Sequence, residues 1–156
     1  MRTSASRPSF PLCLALALSL LLLPAAATDA LAEMVSIAAA RVNLRSGPGT
    51  HHPVEWILGR GYPLLVLQKK GRWLKVRDYA GDTGWVYAKL TGRAPHLVVK
   101  KKEVNIRSGP STGYRVVARA KKGVVFRTLS HSRGWVKVRH QSGTAGWIKR
   151  TLLWGW

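Results

Sequence analysis

Acidic residues and cysteine are scarce in this sequence. Its 156 residues hold 6 Asp plus Glu and a single cysteine, Cys13, against 26 Lys plus Arg. So few carboxylates leave little from which to build a general acid and base pair or an oxygen-rich cation site. One cysteine cannot form an intrachain disulfide. Beyond residue 23 no apolar run approaches the ~20 residues a membrane-spanning helix needs. No later segment sustains a 3.6-residue apolar period, which argues against a helical bundle. At roughly 100 to 200 residues per domain, the length admits one ordinary domain or two small ones and excludes a large multi-domain enzyme. What is present is charge on a foldable chain: hydrophobic residues make up 46%, so the formal +20 belongs to a folded surface rather than to a disordered tail. Such a surface attracts nucleic acid, anionic envelope glycans or acidic lipid headgroups, and charge alone does not choose among them.

The N-terminal segment has its own logic. Arg2 and Arg7 precede an apolar run from Leu12 to Leu23, followed by Pro24 and small residues. This is the three-part pattern of a secretory signal, read here as residues 1–32 with cleavage after Ala32 and an alternative after Ala27. The competing reading is an uncleaved anchor. Cleavage removes Cys13, whose preceding Phe10-Pro11-Leu12 does not form a lipoprotein processing box, and leaves no thiol in the mature chain. From Glu33 onward 24 Lys plus Arg face 5 acids, a net +19. A periplasmic or extracellular location is therefore expected, and a nucleic-acid role is demoted because the charge is exported.

An internal repeat organises the rest. At an offset of 62, Val42-Asn43-Leu44-Arg45-Ser46-Gly47-Pro48 returns as Val104-Asn105-Ile106-Arg107-Ser108-Gly109-Pro110. Trp73-Leu74-Lys75-Val76-Arg77 returns as Trp135-Val136-Lys137-Val138-Arg139, and Gly84-Trp85-Val86 as Gly146-Trp147-Ile148. Over 42–90 and 104–152, 18 of 49 positions are identical without a gap, so the chain is a duplication. The units are read as 34–90 and 96–152, joined by a linker at 91–95 and followed by an aromatic tail at 153–156. Short runs rich in Val, Ile, Leu, Tyr and Trp, as at 62–67, 73–77 and 84–87, alternate with turn clusters and predict strands. In under 60 residues these suggest a small, highly curved barrel, since a flat sheet would expose its edges.

The pattern V-N-x-R-S-G-P-x-T, then Trp-x-Lys-Val-Arg preceded by glycine, then G-W-[V/I] resembles the bacterial SH3 (SH3b) family, twice and in order. The resemblance covers both units. It implies an all-β chain of two tandem five-stranded SH3-like barrels, of a kind found in exported and envelope proteins and in modules that bring hydrolases to peptidoglycan. No catalytic domain accompanies these barrels, and neither a cofactor nor a metal is expected.

Within the units, Gly47-Pro48 and Gly109-Pro110 are expected to shape the loop after the first motif strand, with Asn43 and Asn105 bonding to its backbone. Alternation along strands sends Leu74, Val76, Val86, Val136, Val138 and Ile148 inward. It sends Trp73, Lys75, Arg77, Trp85 and Tyr87 outward in the first unit, and Trp135, Lys137, Arg139, Trp147 and Lys149 outward in the second. If the turn at 79–82 closes a hairpin, Lys75 faces Trp85 and Trp73 faces Tyr87. These ten residues are the candidate ligand-binding set, in which aromatic faces stack on a sugar or peptide while cations meet carboxylates or phosphates. The alternative is that the tryptophans pack under the 45–58 loop. Residues 42–90 carry a net +5 and residues 104–152 a net +11, with no acid in the latter. Trp56, Tyr62 and Tyr79 are aromatics of the first copy alone, which suggests an aromatic first barrel and a cationic second. The five histidines lack metal-ligand spacing. The tail is expected to dock on the second barrel, with insertion at a membrane interface as the alternative. The expected function is non-enzymatic binding of an envelope polymer, most readily peptidoglycan or an anionic glycan. Alternatives are an adaptor for an acidic envelope protein or hydrolase, and a low-selectivity binder of polyanions.

Overall fold

Two curled antiparallel sheets make up the structure, a computed structural model that describes residues 33–156. The expected signal segment, its cleavage sites and Cys13 lie outside the described residues. The first sheet contains β1 (Met34–Ile37), β2 (Arg41–Arg45), β3 (Val54–Gly59), β4 (Pro63–Lys70), β5 (Trp73–Arg77), β6 (Thr83–Tyr87) and β7 (Thr91–Gly92). The second contains β8 (His96–Val99), β9 (Glu103–Arg107), β10 (Val116–Lys121), β11 (Val125–Ser132), β12 (Trp135–Arg139), β13 (Ala145–Lys149) and β14 (Leu153–Gly155). Strand order is β3-β2-β6-β5-β4-β1-β7 in one and β10-β9-β13-β12-β11-β8-β14 in the other. Each unit has seven strands where five are expected. Each sheet adds a short strand at either end of its unit. Thr91–Gly92, at the start of the expected linker, pairs with β1, and Leu153–Gly155 of the expected tail pairs with β8.

One face of each sheet encloses a core, as the alternation predicts. Leu74, Val76 and Val86 join Val35, Ile37, Val42, Leu44, Leu58 and Leu64 in the first. Val136, Val138 and Ile148 join Leu97, Val99, Val104, Ile106, Ala120, Phe126 and Leu153 in the second. Each fully buried Val or Leu contributes about 1.5–3 kcal/mol. With no disulfide to constrain the unfolded chain, cores this small leave little margin against chain entropy.

The duplication extends to the irregularities. β4 slips against β5 between Val66 and Gln68, and β11 slips against β12 between Thr128 and Ser130. The extra residues, Leu67 and Leu129, stand 62 apart and both point to solvent. A β-bulge adds bend and twist, which lets a short sheet wrap round so few residues. The hairpin turns that follow differ. Gly71 holds a φ of +56°, whereas its counterpart Arg133 holds +46° and is followed by Gly134 at +81°.

The barrels touch. Ser36 and Val98, equivalent positions on β1 and β8, point away from their own cores yet are buried. The Trp156 indole Nε1 donates to Ser36 Oγ at 3.2 Å, and the Trp156 backbone N–H donates to the His96 carbonyl. The tail thus pairs with the second barrel and also reaches the first, bridging the two. Nearby, Lys122 Nζ of the second barrel sits 5.8 Å from the Tyr79 ring centroid of the first.

Candidate ligand-binding groove

The β5–β6 hairpin has the expected register: Trp73 opposite Tyr87, Lys75 opposite Trp85, and Arg77 opposite Thr83. The second copy pairs Trp135 with Lys149, Lys137 with Trp147, and Arg139 with Ala145. Cross-strand pairing brings the Trp73 and Tyr87 rings to 5.6 Å between centroids at 60°, an edge-to-face contact. Trp73 and Tyr87 are half-buried, so part of each ring remains accessible. The corresponding place in the second barrel holds half-buried Trp135 beside the exposed Lys149.

The loop 46–53 supplies the opposing wall. The Arg45 Nη1 donates to the Thr50 carbonyl at 3.0 Å and to the His52 carbonyl at 2.7 Å. Arg107 repeats the clamp on Thr112 and Tyr114, at 2.9 and 2.8 Å. The loop-holding role expected of Asn43 and Asn105 belongs to these arginines, because a guanidinium reaches across the loop to two carbonyls where an asparagine on an exposed strand position points to solvent. The signal was present: Arg45 and Arg107 are invariant between the copies. Gly47 also fits its loop closely, since a Cβ there would lie 2.5 Å from the His52 ring.

Between this loop and the hairpin lies an open groove of about 610 Å³, lined by Trp73, Tyr87, Asn43, His51, Arg41 and Arg72 among others. No carboxylate lines it. An aromatic pair at one side and guanidinium groups around the rim suit a ring-shaped polar ligand with an acidic substituent.

The ten candidate residues divide on inspection. Trp73 and Tyr87 meet in the groove. Trp85 does not share it: its side chain is 9% exposed, between its cross-strand neighbours Arg45 and Lys75. It leaves the strand outward, away from the core, and is covered there by packing beside the loop strand, so it is not open to a ligand. Trp147 is half-buried at the matching position opposite Arg107 and Lys137. Lys75 is half-buried, Arg77, Lys137 and Lys149 are exposed, and Arg139 faces the cleft between the barrels. Outside this set, Lys122 forms a cation–π contact with Tyr79. Tyr62 and Tyr79 face each other at 6.3 Å away from the groove, and Trp56 lies exposed on the edge strand β3. Burial, then the Asp78 carboxylate and the 3.0 Å hydrogen bond that Tyr62 donates to it, holds the Tyr62 phenol far above its ordinary range. Among the described residues no three His, Cys, Asp or Glu side chains gather as a metal site, and no helix is long and apolar enough to cross a membrane.

The model of the bacterial SH3 domain family matches residues 38–91 and 100–155. Over 123 residues the chain is 27% identical to YrvJ of Bacillus subtilis (strain 168), a protein named for N-acetylmuramoyl-L-alanine amidase activity. That match takes in 72% of this chain and 24% of the relative's length. Among solved structures, an NlpC/P60 family protein from Bacillus cereus ATCC 10987 is 16% identical with a TM-score of 0.38, over 78% of this chain and 56% of that one. NlpC1 from Trichomonas vaginalis is 16% identical with a TM-score of 0.37, over 85% and 49%. Likeness at such TM-scores carries no weight.

Proposed function

The chain belongs to the bacterial SH3 domain family, and from that premise we propose that it is an exported, non-enzymatic module that binds peptidoglycan or an anionic glycan attached to it. The observation that carries this reading is the Trp73–Tyr87 pair opening onto a groove rimmed by Arg41 and Arg72 and free of carboxylates. Sugar rings present flat C–H faces to aromatic side chains, and the carboxylates of a wall polymer meet the arginines. The second barrel, with its net +11 and no aromatic partner for Trp135, adds long-range attraction rather than ring recognition. The relative named for an N-acetylmuramoyl-L-alanine amidase favours a wall polymer over nucleic acid. This chain spans a quarter of that relative, so association with the wall, not cleavage, is what we carry over.

Co-sedimentation of the protein with purified, protein-free sacculi at ~150 mM salt tests the proposal, because screening over about 8 Å suppresses loose charge contacts. Retention is expected. Absence of retention, together with recovery of a stoichiometric protein from envelope extract, would favour the adaptor reading instead.

A further inference from the structure

A second cavity, larger than the groove, lies in the cleft where the barrels meet, about 1040 Å³ in volume. Arg60 from the first barrel and Arg127 and Arg139 from the second line it, along with His96 and His140, and no carboxylate does. Among the described residues the ion pairs engage only Lys69 and Arg93 with Glu33 and Arg119 with Glu103, so all three cleft arginines lack an acidic partner. Two of them oppose one another directly: Arg127 is the cross-strand partner of Arg139 in β11 and β12. Like charges facing across an antiparallel pair are unfavourable. The first barrel avoids this conflict, since the same position pairs Leu65 with Arg77. Of the two copies, only the second carries an arginine pair at this position, and that pair lines the cleft.

We propose that this cleft is a phosphate-binding site, distinct from the aromatic groove and independent of its ligand. A carboxylate presents two oxygens, which one guanidinium fork satisfies. Three guanidiniums from two barrels suit an anion with more oxygens and up to two charges, which is a phosphate group. An anion between Arg127 and Arg139 converts their repulsion into shared attraction. Because Arg60 comes from the other barrel, the same anion ties the two units together.

Calorimetric titration of the full-length chain at ~150 mM NaCl tests the site with glycerol phosphate, inorganic phosphate and acetate as probes. Saturable binding of glycerol phosphate, at least about tenfold tighter than acetate, is expected. Binding of glycerol phosphate in preference to inorganic phosphate identifies an esterified phosphate as the natural group, and equal binding identifies the phosphate itself. Arg127→Leu, which restores the pairing of the first barrel, should raise the thermal midpoint without ligand and abolish the rise that glycerol phosphate gives the wild type. Lys101→Gln removes the same charge from an exposed site away from the cleft and should leave that rise intact. Non-saturable binding, equal affinity for acetate, or an equal loss in Lys101→Gln would overturn the proposal. Retention on sacculi is read separately and does not enter this test.

Discussion

The two barrels share strand order, register and the bulges at Leu67 and Leu129, yet their surfaces have diverged. Where the first places Tyr87 against Trp73, the second places Lys149 against Trp135. The β5–β6 turn is capped in the first by Asp78, whose Oδ1 accepts the N–H groups of Ala80, Gly81 and Asp82 at 2.8–3.0 Å. In the second His140 stands in its place, and its Nδ1 accepts from the Ser142 N–H. Tyr62, bonded to Asp78, gives way to Val124. The lesson is that a fold so small keeps fixed what closes it, namely inward aliphatics, bulges and the loop-clamping arginine. What faces outward is free to become aromatic in one copy and cationic in the other.

Substitutions at matched positions show how far this parallel holds. The largest effect is expected at the glycine of the sixth strand of each unit. A Cβ at Gly146 would lie 2.6 Å from Ile106 Cγ2 and 2.7 Å from the Arg107 carbonyl oxygen, so β9 itself must move. At Gly84 the three atoms nearest an added Cβ all belong to the Leu44 side chain, the closest at 2.6 Å. Gly146→Ala should therefore cost about 2–3 kcal/mol and Gly84→Ala about 1 kcal/mol in urea unfolding. Equal costs would show that the barrels yield alike. Next, Arg45→Ala and Arg107→Ala each remove two charge-assisted bonds from a partly exposed loop and should each cost about 1–2 kcal/mol. Arg45→Ala alone should also weaken retention on sacculi, because only its loop walls the groove.

Tyr62→Phe should cost about 1 kcal/mol at neutral pH through the lost bond to Asp78. It also carries a pH signature that the second barrel cannot have. With its phenol held above the ordinary value near 10, Tyr62 stays protonated in the folded protein while the unfolded chain ionises. Its contribution is complete below pH ~10 and is lost as pH rises beyond it, so the wild type should lose stability above pH ~10 more steeply than Tyr62→Phe. Smallest is Arg133→Gly, which relieves a positive φ in a hairpin turn and should stabilise by about 0.5 kcal/mol, while Gly71→Ala should destabilise by about 1 kcal/mol.

Much of this architecture was legible from spacing. The constant offset located both units, and period-two alternation placed Leu74, Val76, Val86, Val136, Val138 and Ile148 in the cores and set the Trp73–Tyr87 register. Period two says only which way a side chain leaves its own strand, however, and not what lies beyond. Trp85 leaves outward and is still covered by its neighbours. Ser36 and Val98 also leave outward, and burial between the barrels depends on a contact that no local pattern encodes. The clamp by Arg45 is not legible, because an arginine shared by both copies of a basic chain reads as one more surface charge, whereas its bonds run to main-chain carbonyls that have no sequence signature.

The central claim is that recognition resides in the aromatic pair of the first barrel. Retention of Tyr87→Lys on protein-free sacculi at ~150 mM salt addresses it most directly, since this variant gives the first groove the side chain of the second. Loss of the aromatic face should lower affinity about tenfold, the equivalent of ~1.4 kcal/mol, with the unfolding midpoint nearly unchanged. Wild-type retention of a folded Tyr87→Lys variant would contradict the account and place binding elsewhere on the molecule.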